Sequence, residues 1–199
     1  MANDATRLAR SAPEALDLFI DAVAAIPPQG WDQPSNLDGW SVRELVGHAT
    51  GSAAKVVALI EGGAVWGGPS QPTDWMAENP AARLRELAAR LHDALPAILT
   101  NDDLAAPRVS VEGEVPLHRA LAFPVADLIL HSWDVHRSCG RMVELPDDLL
   151  AACRAMVESV PENLLRRPGG FGPAQPAPEG ATATARLMAY LGRSVDGPG

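Results

Sequence analysis

Asp127-Leu-Ile-Leu-His131, continued by Ser132-Trp133-Asp134-Val135-His136-Arg137 and closed by Gly140, is the stretch on which the fold turns. Its apolar residues recur at helical spacing. A carboxylate and an imidazole four positions apart lie about 40° from one another around a helix axis, so both can reach one cation. Helical bundles commonly build metal sites from such side chains projecting inward from facing helices. The pair therefore calls for a third ligand from a neighbouring helix.

The composition admits such a bundle. The chain has 199 residues, 47% of them hydrophobic, which is enough to bury a full core. A formal net charge of −9 argues against nucleic acid or an anionic membrane surface as partner, since both favour basic patches. Small molecules, substrates or thiols, remain the natural partners, and a homodimer is compatible with the sequence. Two cysteines, Cys139 and Cys153, with no CxxC pair, fit reduced thiols in a cytoplasmic protein. The N-terminus shows no targeting segment, and no apolar run is long enough to span a bilayer. Lys55 is the single lysine among the 16 basic residues.

Outward from the central stretch, four long helices are expected, and two more toward the C-terminus. Leu8, Ala12, Leu16, Phe19, Ile20, Val23 and Ile26 give the first, over 4–26, which Pro13 must kink or start and which ends before Pro27-Pro28. A turn-rich loop with Trp31 and Trp40 follows, both read as plugs for the end of the core. Ser41-Val-Arg-Glu44 fits a capping box and opens the second helix, whose stripe runs from Val42 to Ile60 with His48 at its buried edge. Residues 62–79, with Trp66 and Trp75, form a connection long enough to cover or line a site. Asn79-Pro80 caps and starts the third helix. Val109 and Val111 alternating against Val115 and Leu117 around Gly113 admit a small hairpin near 108–117. The fourth helix is expected to become regular near Pro124 and to stop at Gly140 in a left-handed cap. Pro146 opens a fifth, from Pro168 to Gly180 the chain is expected to be extended and wrapping, and 181–191 give a last short helix before Gly192. Nothing marks a second domain, so 1–199 reads as one metal-binding helical-bundle domain with a core of 4–140 and C-terminal helices and tail over 141–199.

His48, Asp127 and His131 are the candidate metal ligands. Two imidazoles and one carboxylate leave coordination positions for water or substrate, as in catalytic zinc sites and two-His-one-carboxylate iron sites. Each has a plainer reading: a hydrogen-bonded histidine at the core edge, and a polar pair on a solvated face. Asp134, seven residues beyond Asp127, returns to nearly the same face, where it would orient a ligand imidazole or pair with Arg137 or a neighbouring helix. His136 lies about 140° around the helix from His131 and reads as surface or outer shell. His92 reads as a boundary residue, Trp133 as core and Cys139 as a small buried residue, while His118, ahead of Pro124, is left without a position. No nucleophile elbow, P-loop, dinucleotide fingerprint or HExxH occurs.

Gly39-Trp-Ser-Val-Arg-Glu-Leu-Val-Gly-His48 together with Asp127-Leu-Ile-Leu-His131-Ser-Trp-Asp134 resembles the DinB-like superfamily of metal-binding four-helix bundles, in the group related to mycothiol-dependent maleylpyruvate isomerase. The tail from Phe171 to Arg193 is similar to that of single-domain members. The resemblance implies an all-α, DinB-like fold and a divalent metal on His48, Asp127 and His131. Zinc is the leading candidate, with nickel, iron or manganese as alternatives. It also implies mycothiol as a thiol cofactor, with isomerisation or thiol transfer as the reaction. The isomerase has Glu where this chain has Asp127, which shortens the reach by about 1.5 Å, and it carries a C-terminal domain that this sequence does not contain. The other reading the resemblance allows is a non-catalytic, stress-associated protein that binds a metal or small ligand.

Overall fold

The computed structural model describes residues 2–63, 65, 67, 69–110, 113–166 and 170–195. Its helices are α1 (Ala2–Arg10), α2 (Ala12–Ala24), α3 (Val42–Ile60), α4 (Pro72–Trp75), α5 (Pro80–Ala94), α6 (Asn101–Ala105), α7 (Leu117–Ser138), α8 (Asp147–Ser159), α9 (Glu162–Leu165) and α10 (Ala183–Tyr190). Strands β1 (Pro107–Ser110) and β2 (Gly113–Pro116) form an antiparallel hairpin in which Arg108 faces Val115. Trp66, Val111 and Pro168 fall outside the described residues.

α2, α3, α5 and α7 close a ring in which each packs on the next: α2 on α7, α7 on α3, α3 on α5 and α5 on α2. This is a four-helix bundle, with α1 and α8 added along α7. Its interior is filled by side chains at the expected helical spacing, among them Phe19, Leu45, Leu87, Leu121 and Leu128, all fully buried. Each contributes about 1.5–3 kcal/mol relative to exposure. Trp133 joins this core at 2% exposure. Trp31 and Trp40 pack against this core, as do Leu37 and Trp75.

Local chemistry accounts for the boundaries. Ser41 and Glu44 make both bonds of the capping box, Ser41 Oγ accepting from the Glu44 amide and the Glu44 carboxylate accepting from the Ser41 amide. The Asn79 side chain accepts from the Ala82 amide at the head of α5, and Pro80 takes its first position. α5 stops at Ala94, just before Pro96, and the chain tightens into a 3₁₀ turn over Leu95–Ile98. Gly140 (φ +71°) and Gly192 (φ +89°) close α7 and α10 in the left-handed conformation that glycine adopts without penalty.

Four expectations are corrected. The first helix is two: Pro13 has no amide to offer a continuous helix and instead sits in the first turn of α2, so the chain breaks at Ser11. α7 does not wait for Pro124 but begins at Leu117 and carries the proline, buried, in its interior. Packing of α7 on α1, α2 and α3 supports the helix despite that missing amide. Leu117 consequently belongs to α7 and not to the hairpin. Cys139 is half-buried, because it lies past the last turn of α7 where the chain leaves the core.

Three short helices had no stripe to betray them. α6 still shows a capping pattern, Thr100 accepting from the Asp103 amide and Asp103 from that of Thr100. Among the described residues, no helix is long and apolar enough to cross a membrane.

Candidate metal centre

α3 and α7 lie side by side, and each turns one histidine into the seam. His48 is 7% exposed and His131 4%, with their ring centroids 5.0 Å apart in an edge-on arrangement. Asp127, one turn before His131 on α7, lies between them: its Oδ2 is 3.2 Å from His48 Nε2 and its Oδ1 is 3.3 Å from His131 Nε2. One ligand atom from each of the three falls within 4.8 Å of the others, the span a single cation can bridge. The shorter Asp side chain therefore still reaches both imidazoles. The Asp127 side chain keeps 26% of its exposure, so the seam opens to solvent on the carboxylate side.

The far nitrogen of each ring is already engaged. His48 Nδ1 donates to the Ser70 carbonyl oxygen at 2.7 Å, and a carbonyl can only accept, so the proton is on Nδ1. His131 Nδ1 bonds Asp134 Oδ2 at 2.8 Å. Asp134 is fully buried, and burial alone would favour its neutral form. The Arg193 guanidinium and the His131 bond outweigh that and hold its carboxyl far below the usual range. It is thus an ionised acceptor, and it fixes the Nδ1–H tautomer of His131.

In their neutral forms, both rings therefore point Nε2 lone pairs at the lone pairs of Asp127. Such a convergence of acceptors is repulsive until a cation occupies it. The centre answers in part with protons: burial opposes charging His131, but Asp127 and then Asp134 raise its pKa to about 9. Burial likewise opposes ionisation of Asp127, yet His131 and His48 hold its carboxyl well below the ordinary value. A divalent metal meets the same need with two imidazole nitrogens and one carboxylate, a donor set suited to zinc and its neighbours. The residues fit such an ion.

Asp134 has further partners. Arg193 Nη2 donates to Oδ2 at 3.0 Å and Asn36 Nδ2 donates to Oδ1 at 2.8 Å. Ser138 Oγ donates to the Asp134 carbonyl at 2.7 Å and accepts from the Asn36 amide at 2.9 Å. Of the two readings of Asp134, orienting an imidazole and pairing with Arg137 or a neighbouring helix, the first holds, and an ion pair is made with Arg193, which lies 6% exposed beyond α10 and covers the Phe171 ring at 5.1 Å. Gly192 makes this approach possible, because its left-handed backbone reverses the chain against Gly172, where an added Cβ would lie 2.8 Å from the Gly172 Cα.

Ser52, one turn past His48, donates to Asp127 Oδ2 at 2.6 Å and aims the carboxylate. Its four-residue spacing from His48 was visible in the sequence; Arg193, Asn36 and the Ser70 carbonyl announced themselves by no spacing at all. Lys55 continues the same face of α3, half-buried; desolvation lowers its pKa while Asp127 attracts the ammonium and opposes that. Trp40 lies against His48 with ring centroids 4.8 Å apart, so this loop tryptophan screens the imidazole as well as closing the core.

The remaining histidines stay apart from the centre. His136 Nδ1 accepts from Arg141 Nε at 2.9 Å; burial, then Arg141, lowers its pKa. His118, placed now in the first turn of α7, bonds the Leu104 carbonyl at 2.9 Å, and His92 is exposed.

Residues 12–137 match the family model described as the mycothiol maleylpyruvate isomerase N-terminal domain, and the chain belongs to that family. Two solved structures resemble it. A crystal structure of the mycothiol-dependent maleylpyruvate isomerase shares 18% identity, with a TM-score of 0.55 over 79% of this chain and 69% of that one. One of a histidine-to-alanine mutant of that enzyme shares 17%, with a TM-score of 0.58 over the same shares. At this identity the likeness is one of fold. No curated protein sequence matches.

Proposed function

We propose that this member of the family is a divalent-metal-dependent enzyme that acts with a low-molecular-weight thiol such as mycothiol, as an isomerase or thiol transferase. His48, Asp127 and His131 would hold the ion, zinc first among the candidates. The observation that carries the reading is the convergence of two imidazole Nε2 atoms on one carboxylate, with both Nδ1 protons already committed elsewhere. A bound divalent cation would supply a thiol or water of lowered pKa, or a polarised carbonyl.

The chain's own residues supply the rest. Asp134 and Ser70 fix the ring orientations, Ser52 aims Asp127, and Trp40 keeps water from one face of His48. The partly exposed Asp127 marks the side from which a small molecule would enter. Lys55, on the same face of α3, adds positive charge there in a protein whose net charge is −9, which favours an anionic ligand such as a thiolate or carboxylate.

Metal analysis of the purified protein tests the site. About one equivalent of zinc, lost in His48→Ala and in His131→Ala, is expected; unchanged metal content in both variants would refute it. Adding mycothiol to the cobalt-substituted protein tests the thiol: a new sulfur-to-cobalt charge-transfer band supports the enzyme reading. Tight metal binding without any thiol response supports a metal-binding protein with no thiol chemistry.

A further inference from the structure

α3 carries glycine at 47 and 51, one turn apart and flanking His48, in the interior of a helix where only proline is less favoured. Both positions are filled by close approach of another segment. A Cβ added at Gly47 would lie 2.6 Å from the Pro72 carbonyl oxygen. One added at Gly51 would lie 2.3 Å from Ser70 Cβ, 2.5 Å from Ser70 Oγ and 2.8 Å from Trp75 Cδ1. The two glycines form a notch, and residues 70–75 sit in it. Ser70, 2% exposed, and Pro72 are buried there, and Trp75 packs on the core beside them.

Ser70 is informative in a second way. Its hydroxyl is buried with no hydrogen-bond partner, a costly state for a polar group. Its carbonyl, by contrast, takes the Nδ1 proton of His48 at 2.7 Å. What the segment supplies at this point is main chain.

We infer that residues 70–75 are a positioning strap for His48: the glycine notch sets how deeply the strap seats, and that depth brings the Ser70 carbonyl to Nδ1 and presents Nε2 to the centre. Gly51 is then a positioning residue through its lack of a side chain, and Ser70 through its backbone. The effect on metal rests on His48 being a ligand, as proposed above.

The test compares wild type, Gly51→Ala, Ser70→Ala and the double variant Gly51→Ala/Ser70→Gly, reading the zinc dissociation constant by chelator competition and the His48 Nδ1 proton by imidazole ¹⁵N spectra of the metal-free protein. Gly51→Ala is expected to weaken zinc by about 10–100-fold, the usual effect of losing a group that orients a ligand, and to lose the protected Nδ1 proton. Ser70→Ala keeps the carbonyl and drops only an unpartnered hydroxyl, so zinc affinity should stay within about twofold. The double variant removes the two nearest of the three atoms that the new methyl group would strike, leaving the Trp75 ring edge at 2.8 Å, so it should recover part of the affinity and of the proton signal. A packing role alone would move the melting temperature but neither of these readouts.

Wild-type affinity and a retained Nδ1 proton in Gly51→Ala would overturn the strap while leaving the metal site standing; so would failure of the double variant to recover. Absence of zinc binding by the wild type would remove both readings together. Should Gly51→Ala not fold, Gly47→Ala, which presses on the Pro72 carbonyl, carries the same expectation and the same refutation.

Discussion

His48 and His131 offer the same atom to the same carboxylate, but they are held by opposite means. His48 leans on a neutral backbone carbonyl in a loop strap, at a notch made by glycines. His131 leans on an ionised, fully buried carboxylate that is itself gripped by Arg193 and Asn36. The first arrangement orients a ring through an uncharged partner. The second orients a ring and also makes it more basic, a better donor to a metal and a better trap for a proton. A metal centre built this way has one ligand braced by a buried charge and one braced by a backbone carbonyl.

The largest effect should erase the comparison. Replacing His131 or His48 by Ala is expected to take bound metal from about one equivalent to near none, read by elemental analysis, and retention of metal by either variant would show that its ring is dispensable.

Next comes Asp134→Asn, which strips the charge from the tuned side. It leaves Arg193 buried without a counter-ion, expected to cost about 3–5 kcal/mol in urea unfolding, and should weaken zinc by about 10–100-fold. A loss below about 1 kcal/mol would mean that the pair contributes nothing specific.

The pH dependence is smaller and works in the metal-free protein. His131 is raised from its ordinary value to about 9, so the stability its proton provides is fully present below about pH 6.5 and disappears as the pH climbs through 9. On the order of 3 kcal/mol should be lost across that window, and His131→Gln should flatten the curve. Zinc affinity should rise over the same range, since metal and proton compete for Nε2.

Ser52→Ala, which removes one hydrogen bond to Asp127, should be the mildest, costing about 0.5–1.5 kcal/mol and loosening zinc severalfold at most. A larger loss would shift weight from the histidines to the carboxylate between them.

Much of this was legible in the sequence because helices write their geometry at fixed intervals. The capping box at Ser41 to Glu44 located α3, the stripe behind it located His48, and the four-residue spacing of Asp127 and His131 placed both on one face of α7. The seven-residue spacing to Asp134 placed it beside them. Pro124 misled, because a proline in a helix is tolerated where neighbouring helices hold the chain, and those neighbours are tertiary. Ser70, Asn36 and Arg193 lie in connections that obey no period. Their roles depend on where the chain returns in space, and the glycine notch reads in sequence only as two weak helix formers.

The Arg193 grip also imposes an order of events. A ribosome makes Asp134 59 residues before Arg193, so until then the nascent bundle has only His131 and Asn36 to hold this carboxylate. α3, α7 and the strap are all synthesised by then, and the His48 side can assemble at once. The His131 side matures only when the segment after α10 has been delivered, which makes the last bond formed at this centre a late and separable step in the protein's biogenesis.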